Sequence, residues 1–223
     1  MNVSWDPLYL TFKLAVITNI FLLLISIPLG YWLAYSTSKF RYIVQALVSI
    51  PLVLPPTVLG FYLLVAFNPG NFVGKLLRSV FDVQLVFTFE GLVVASIIYS
   101  LPFMVNPIQS GFQGLSVSLS EASYILGKSK LRTIFKVLLP NMKPSLISGI
   151  VISFAHTIGE FGVILMIGGS IPGETRVASI AIYDEVEALN YDTANFYALI
   201  LLVVTFLILL SVYLFNRKSL KAF

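Results

Sequence analysis

The sequence contains no cysteine, a single histidine and few charged residues. Charged residues make up 11% of its 223 residues, whereas soluble globular chains carry about 25%. The absence of cysteine excludes disulfides and thiolate chemistry, and one histidine is too few for a histidine metal site, so we predict no metal and no cofactor in this chain. Because 58% of the residues are hydrophobic, a water-soluble fold of this size could not cover its apolar surface. The composition therefore indicates a membrane protein.

Five apolar stretches are long enough to cross a bilayer, whose hydrocarbon core of about 30 Å requires about 20 apolar residues in a helix. They predict an all-α integral membrane protein with one transmembrane domain over residues 1–223. The predicted spans are Leu8–Leu33, Ile43–Phe67, Gly91–Phe112, Leu146–Gly168 and Ala194–Phe215.

Basic residues are distributed unevenly between the two sides that five spans define. One side holds Lys75, Arg78 and Arg176, and the other holds ten Lys or Arg residues. Because basic loops stay in the cytoplasm, we predict an outer N-terminus and a cytoplasmic C-terminus. The net charge of +4 is then a topology signal, and we expect no nucleic-acid partner. The ten basic residues are Lys39, Arg41, Lys128, Lys130, Arg132, Lys136, Lys143, Arg217, Lys218 and Lys221.

Prolines cluster in the second predicted span, at Pro51, Pro55 and Pro56. Proline removes a backbone donor and bends a helix, and the freed carbonyls then need partners in protein or in a water-lined cavity. Two interpretations stay open: a packing kink, and a broken helix that lines a translocation path. On the second interpretation, the candidate path or gate residues are Pro55, Pro56, Thr57 and Gly159.

The segment between the third and fourth spans, residues 118–144, has the pattern of two short surface helices. Ser118 and Glu121 have the spacing of a capping box, which starts a helix. We expect this helix over Leu119–Leu126, and Gly127 suits the left-handed residue that ends a helix.

A second short helix is predicted to begin at Ser129, as its N-cap, and to end at Pro140. Two interpretations of the pair stay open. A basic amphipathic hairpin on anionic lipid accounts for the lysines. Insertion into a cleft of a partner protein also accounts for the small residues Ala122 and Gly127.

The pattern Glu121-Ala122-Ser123, then Gly127, Leu139-Pro140 and Pro144, resembles the EAA loop of prokaryotic ABC-importer permeases. The resemblance implies the type I permease fold, in which the first short helix fits a cleft in a separate ATPase and transmits its closure. The ATPase-coupling residues that it implies are Glu121, Ala122, Ser123, Leu126, Gly127, Pro140 and Pro144.

The same resemblance implies a set of partners and a place in the cell. It implies a homodimer in the cell (inner) membrane, in contact with lipid, with two ABC ATPase subunits on the cytoplasmic side that use ATP and Mg. A periplasmic or lipid-anchored substrate-binding protein would dock outside. The chain would not be an enzyme, because its one phosphate-loop-like stretch, Gly168–Thr175, has Glu174 where such a loop needs lysine.

Three stretches, Ile50–Gly60, Phe154–Gly162 and Ile167–Thr175, resemble signatures of molybdate/tungstate permeases. Sulfate permeases share the Gly-Glu-Phe-Gly element, so a sulfate/thiosulfate permease is the alternative. Two other classes are an anion channel and an intramembrane enzyme. They are disfavoured because the sequence has no selectivity-filter motif and no Gly-x-Ser-x-Gly.

His156 and Glu160 lie four residues apart, so they share one face of the fourth span and could pair. Ionisable groups inside a membrane are functional candidates. The resembling family often has arginine at the position of His156. An interhelical or gate-stabilising contact and a substrate site both stay open.

The predicted outer loop, residues 169–193, combines apolar positions with the acidic residues Asp184, Glu185 and Glu187. One interpretation is a surface helix with a solvated acidic face. The other is a landing site for the binding protein.

Overall fold

The computed structural model describes residues 4–216, and these residues form helices and no strand. The predicted all-α fold is confirmed. The basic residues Arg217, Lys218 and Lys221 lie outside the described residues. In chain order the helices are α1 (Asp6–Tyr35), α2 (Phe40–Val53), α3 (Pro56–Phe67), α4 (Phe72–Phe81), α5 (Phe89–Gln113), α6 (Val117–Ile125), α7 (Lys130–Thr133), a π-helical turn (Ile134–Leu138), α8 (Leu139–Asn141), α9 (Lys143–Gly159), α10 (Gly162–Gly168), α11 (Ala178–Glu187) and α12 (Tyr191–Asn216).

Three described helices, α1, α5 and α12, are long and apolar enough to cross a membrane. Two bent helix pairs raise the number to five if each pair counts as one span. These pairs are α2 with α3, and the helical stretch Lys130–Asn141 with α9. Large apolar side chains are exposed along α1, α2 and α12, as expected for surfaces whose solvent is lipid.

The second predicted span, Ile43–Phe67, is not one helix. Its two halves, α2 and α3, meet at an angle of 116°. Leu54 and Pro55 are extended, with ψ of 137° at both, because a residue before proline is sterically driven out of the helical region. The helix is broken at the proline cluster, and Pro51 remains inside α2; that the break lines a translocation path stays a prediction.

The fourth predicted span, Leu146–Gly168, is also interrupted, and this was not predicted. Helix α9 ends at Gly159, Glu160 is extended with ψ of 132°, and α10 begins at Gly162. No proline lies at this break, but two glycines, both poor helix formers, flank it. A Cβ atom at Gly162 would lie 2.8 Å from Cβ of Pro56. The break therefore lies directly against the proline break of the second span.

The centre of the bundle is α5, which packs against α1, α9 and α10. At the end near α11, its residues Leu92 and Ala95 are fully buried with Ile164 and Ile167 of α10. At the other end, Met104, Ile108 and Phe112 are fully buried against Leu22 of α1 and the segment that follows α7. These contacts join the two broken helices and the coupling segment to one core.

Candidate translocation cavity and coupling segment

Helix α6 carries three of the predicted coupling residues, Glu121, Ala122 and Ser123, but it begins earlier than predicted. Its N-cap is Ser116, and the hydroxyl of Ser118 meets the hydroxyl of Ser116 at 2.7 Å. The capping box predicted between Ser118 and Glu121 is therefore wrong. The helix ends at Ile125, one residue before the predicted end.

Gly127 ends α6 in the predicted left-handed conformation, with φ of +71°. The amide of Gly127 donates to the carbonyl of Tyr124 at 2.9 Å, and the amide of Lys128 donates to the carbonyl of Ser123 at 3.1 Å. These two bonds form a Schellman motif. A Cβ atom at Gly127 would have no atom within 4 Å, so only the backbone conformation requires glycine here.

The face of α6 that the rest of the chain leaves exposed is apolar. Ile125 is 86% exposed and Leu126 74% exposed, and Glu121, Ala122 and Gly127 are exposed beside them. Apolar side chains of this size are stabilised by burial, so this surface has the character of a docking surface.

Ser123 has a different place from the other predicted coupling residues of α6. It is buried, and its hydroxyl lies 2.8 Å from that of Thr133 at the end of α7. This bond joins α6 to the segment that returns to the membrane. Thr133 was missed by the sequence analysis, because no motif marks it.

The return segment begins as predicted, since the hydroxyl of Ser129 caps α7 by accepting from the amide of Arg132. Its predicted end at Pro140 is wrong, because α8 runs to Asn141 and the chain then turns by 82° into α9. The π-helical turn before Pro140 widens the helix where the proline ring would meet the carbonyl four residues earlier. Pro144 lies in the first turn of α9, where no amide donor is needed.

A cavity of about 520 Å³ lies between the two helix breaks. It contains three of the four predicted path residues, Pro56, Thr57 and Gly159, and both ionisable candidates of the fourth span. Pro55 is not among its lining residues. The lining residues are Pro56, Thr57, Tyr99, Ala155, His156, Gly159, Glu160, Phe161 and Gly162.

His156 is held against α5 by one polar and two aromatic contacts. Its Nδ1 lies 2.9 Å from the hydroxyl of Ser100. Its ring stacks on Phe103, with centroids 3.9 Å apart, and contacts Tyr99 at 4.8 Å. The hydroxyl of Ser100 also lies 3.2 Å from the hydroxyl of Thr157, the residue after His156. These contacts join α9 to α5.

Glu160 is buried at the break and also bonds to α5. Its Oε2 accepts from the hydroxyl of Ser96 at 3.0 Å, while its Oε1 has no hydrogen-bond partner among the described residues. Its carbonyl accepts from the hydroxyl of Ser179 on α11 at 2.6 Å. No ion pair joins Glu160 to His156 in the described part of the chain, so the direct pairing considered from their spacing is not observed.

The acidic residues of α11 are mostly engaged within the chain. Arg176 Nε lies 2.9 Å from Asp184 Oδ2, and Arg176 Nη2 lies 3.3 Å from Glu185 Oε1. The hydroxyl of Ser170 also donates to Asp184, at 2.6 Å. Glu187 is exposed, so the solvated acidic face predicted for this helix is reduced to that residue.

The glycine-containing loop after α10 also uses its polar groups internally. The hydroxyl of Thr175 donates to the carbonyl of Gly168 at 2.7 Å and accepts from the amide of Ile171 at 3.0 Å. Glu174 accepts from the amide of Phe89, at the start of α5. These bonds join the loop to itself and to the end of α5.

Residues 26–221 match the family described as the binding-protein-dependent transport system inner membrane component. The chain belongs to this family. It is therefore an integral inner-membrane permease, and its apolar helices agree with that place.

Two relatives support the assignment, and one solved structure has the same fold. The chain is 43% identical to the molybdenum transport system permease protein ModB of Azotobacter vinelandii, over 93% of this chain and 92% of that protein. It is 32% identical to the sulfate transport system permease protein CysT of Salmonella typhimurium, over 82% of this chain and 67% of that protein. A chain in the crystal structure of a bacterial alginate ABC transporter in complex with an alginate pentasaccharide-bound periplasmic protein has the same fold, with a TM-score of 0.76, 20% identity and coverage of 98% of this chain and 80% of that one.

Several polar residues of this permease that bond between its helices were missed by the sequence analysis. Ser153 donates to Asn19 of α1 at 2.8 Å, and Ser96 and Ser100 of α5 hold the two ionisable residues of the cavity. A signal was present, because Ser96 and Ser100 are four residues apart and so lie on one face of α5. Polar residues at such spacing commonly join helices in membranes.

Proposed function

We propose that this chain is the permease subunit of an ABC importer for molybdate, and for the similar ion tungstate, and that it works by alternating access. The observation that carries the proposal is the similarity to the A. vinelandii molybdenum permease over nearly the whole length of both chains. Sulfate is the second candidate substrate, favoured by the weaker likeness to the sulfate permease and by the shared Gly159-Glu160-Phe161-Gly162 stretch.

The uncovered face of α6 supports a partner that provides the energy. We propose two ABC ATPase subunits, each with a cleft that receives Ala122, Ile125 and Leu126 of one copy in a homodimer. ATP and Mg belong to those subunits. The chain would have no ATPase site, because the hydroxyl of Thr175 and the carboxylate of Glu174 are used within the fold.

The coupling segment also supports an orientation. It carries Lys128, Lys130, Arg132 and Lys136, and basic segments stay in the cytoplasm. We therefore propose a cytoplasmic coupling segment and C-terminus, an outer N-terminus, and a substrate-binding protein that docks on the outer face.

The path from the ATPase to the cavity runs through packed helices. Closure of the two ATPases would draw the two α6 helices together, and the Ser123–Thr133 bond would pass this movement to α7 and through the 82° turn to α9. Helix α9 ends at Gly159, on the cavity. The paired breaks allow α3 and α10 to move relative to α2 and α9, which would open the cavity to one side and then to the other.

The cavity favours an anion path in which Glu160 is not a ligand. Thr57 supplies a hydroxyl, and the broken helix ends supply backbone groups that lack helical partners. The carboxylate of Glu160 would repel a dianion, so we propose that Glu160 and His156 stabilise the gate by holding α9 to α5. Pro55 would shape the gate without lining it.

Reconstituted transport tests the proposed function. Liposomes would contain the chain with its ATPase, and labelled molybdate would be added with the binding protein outside. We expect uptake only when ATP, ATPase and binding protein are all present, and we expect excess tungstate to compete more strongly than excess sulfate. ATP-independent flux would instead indicate a channel, and stronger competition by sulfate would indicate the second candidate substrate.

A further inference from the structure

Helix α4 (Phe72–Phe81) has no role in the cavity or in the coupling segment. It joins α3 to α5 at the end of the bundle opposite α6. Its apolar residues recur at helical spacing and fill one half of its circumference, while Lys75, Arg78 and Ser79 occupy the other half. The apolar residues are Phe72, Val73, Leu76, Leu77, Val80 and Phe81.

The apolar half of α4 is not covered by the rest of the chain. Gly74 is the one buried residue within this helix, all of which the structure describes. Phe72 is 81% exposed, Phe81 67% and Val80 62%. A Cβ atom at Gly74 would lie 2.1 Å from the carbonyl oxygen of Asn68. The helix is therefore held by close backbone contact with the end of α3, which leaves its apolar half free.

The position of α4 limits what can cover this half. Short connections, residues 68–71 and 82–88, tie it to two apolar helices, so it stays at the surface of the membrane. A binding protein that docks during each transport cycle would leave the apolar half in water between cycles. Lipid is present throughout.

The charges of α4 argue against a second copy of this chain as the cover. A two-fold contact whose axis passes beside α4 would bring this helix against its own copy. Lys75 and Arg78 flank the apolar half, so they would then lie near the same basic residues of the copy, and α4 contains no acidic residue to pair with them. Anionic lipid headgroups would instead be attracted to both residues.

A groove at the boundary between the two halves agrees with a lipid cover. It measures about 440 Å³ and combines the rings of Pro69 and Phe72 and the side chain of Leu76 with Lys75, Arg78 and Ser79. The apolar side chains of this groove would contact acyl chains, and its basic side chains would contact the lipid phosphates.

We propose that α4 is an interfacial helix that lies in the leaflet opposite the coupling segment. Its apolar half enters the acyl boundary by about 5–10 Å, as such helices do, and Lys75 and Arg78 bind anionic lipid phosphates. In this position α4 anchors the last turn of α3 to the membrane surface, while the first residues of α3, Pro56 and Thr57, line the cavity.

The absence of cysteine permits a direct test without background labelling. Leu76→Cys and Val80→Cys would place a nitroxide on the apolar half, and Ser79→Cys would place one on the polar half as the matched control. The full chain would be reconstituted in phosphatidylethanolamine and phosphatidylglycerol. Collision rates with oxygen and with a water-soluble nickel chelate would then give the depth of each label. We expect labels at 76 and 80 to lie about 5–10 Å below the phosphates and the label at 79, at the boundary with the polar half, to lie closer to water than either.

Each alternative cover gives a different result. Labels at 76 and 80 that are open to the nickel chelate until binding protein is added would overturn the proposal in favour of a docking surface. Labels shielded from both reagents, with a short spin–spin distance between copies, would overturn it in favour of a dimer contact. The double variant Lys75→Gln, Arg78→Gln should raise the label at 80 towards water in phosphatidylglycerol membranes. An unchanged depth would reject the headgroup contact.

Discussion

The coupling segment and the cavity are built by different kinds of interaction. In the coupling segment, the helix end at Gly127 and the cap at Ser129 follow from residues close in sequence. At the cavity, the break at Glu160 depends on residues far apart, because Gly162 meets Pro56 and Glu160 bonds to Ser96. The coupling segment, which we propose binds a partner, is therefore encoded locally, whereas the cavity, which we propose opens and closes, is encoded by tertiary packing.

Gly162→Val is the strongest test of the cavity, the region that depends on tertiary packing. Its Cβ would lie 2.8 Å from Cβ of Pro56, and overpacking of this kind costs about 1–3 kcal/mol. We expect the two breaks to separate and ATP-driven uptake to fall by more than tenfold, measured in reconstituted liposomes at equal protein content.

Gly159→Ala is the matched control for that variant. A Cβ atom at Gly159 would have no atom within 4 Å, so the two breaks should stay together, and uptake should fall less than in Gly162→Val even though Gly159 lines the cavity. Equal losses in both variants would show that glycine is needed for flexibility and that the contact with Pro56 is not decisive.

Gly127→Val tests the coupling segment, the region that is encoded by residues close in sequence. The left-handed conformation at φ of +71° costs a residue with a side chain about 1–2 kcal/mol, and a β-branched side chain more. We expect α6 to lose its ending, and uptake to be uncoupled from ATP hydrolysis or the ATPase to dissociate, as measured by uptake per ATP and by co-purification.

Gly127→Asn separates backbone strain from other effects, because asparagine tolerates the left-handed region. It should retain most of the coupling. Normal uptake in Gly127→Val, with all spans inserted, would mean that the segment is a lipid anchor and not a coupling helix.

Gly127→Val tests a helix end that the sequence predicted, whereas Gly162→Val tests a helix break that it did not predict. Pro55 and Pro56 predicted that the second span is bent or broken. Gly127 and Ser129 predicted the end of one short helix and the cap of the next. The only local signal for the break at Glu160 was Gly159 and Gly162, and two glycines did not outweigh a stretch that is as apolar as a continuous span. The burial of Ser123 could not be predicted either, because its hydrogen-bond partner Thr133 belongs to no motif.

Glu160→Gln has a smaller expected effect, on the gate. The amide keeps the size of the side chain and can still bond to Ser96, but it removes the carboxylate. We expect lower uptake or a lower dimer yield, with the relative competition by tungstate and sulfate unchanged. Unchanged uptake together with an unchanged dimer yield would contradict the gate role, and altered competition would favour a substrate site.

Ser123→Ala measures how far the docking helix and the return segment depend on each other. A buried hydrogen bond of this type contributes about 1 kcal/mol, so the free energy of unfolding should fall by about that amount. Thr133→Val and the double variant would complete a cycle. A double variant whose loss equals the sum of the two single losses would show that the pair is not coupled.

The smallest effect is expected on the outer face, from Glu187→Lys. This residue is exposed, and reversal of one solvated charge should weaken binding-protein docking at low salt and have little effect at high salt. Asp184→Lys is not an equivalent test, because it also breaks the ion pair with Arg176. Docking that is unchanged at low salt would reject the acidic landing site.

The most direct test of the account asks whether the two regions move together. Single nitroxides at Ala122→Cys on α6 or Thr57→Cys in the cavity would be placed in both copies of the dimer, with a hydrolysis-deficient ATPase and binding protein. We expect ATP to shorten the distance between the α6 labels in the first variant and to increase the distance between the cavity labels in the second. An α6 distance that shortens while the cavity distance stays constant would contradict the account.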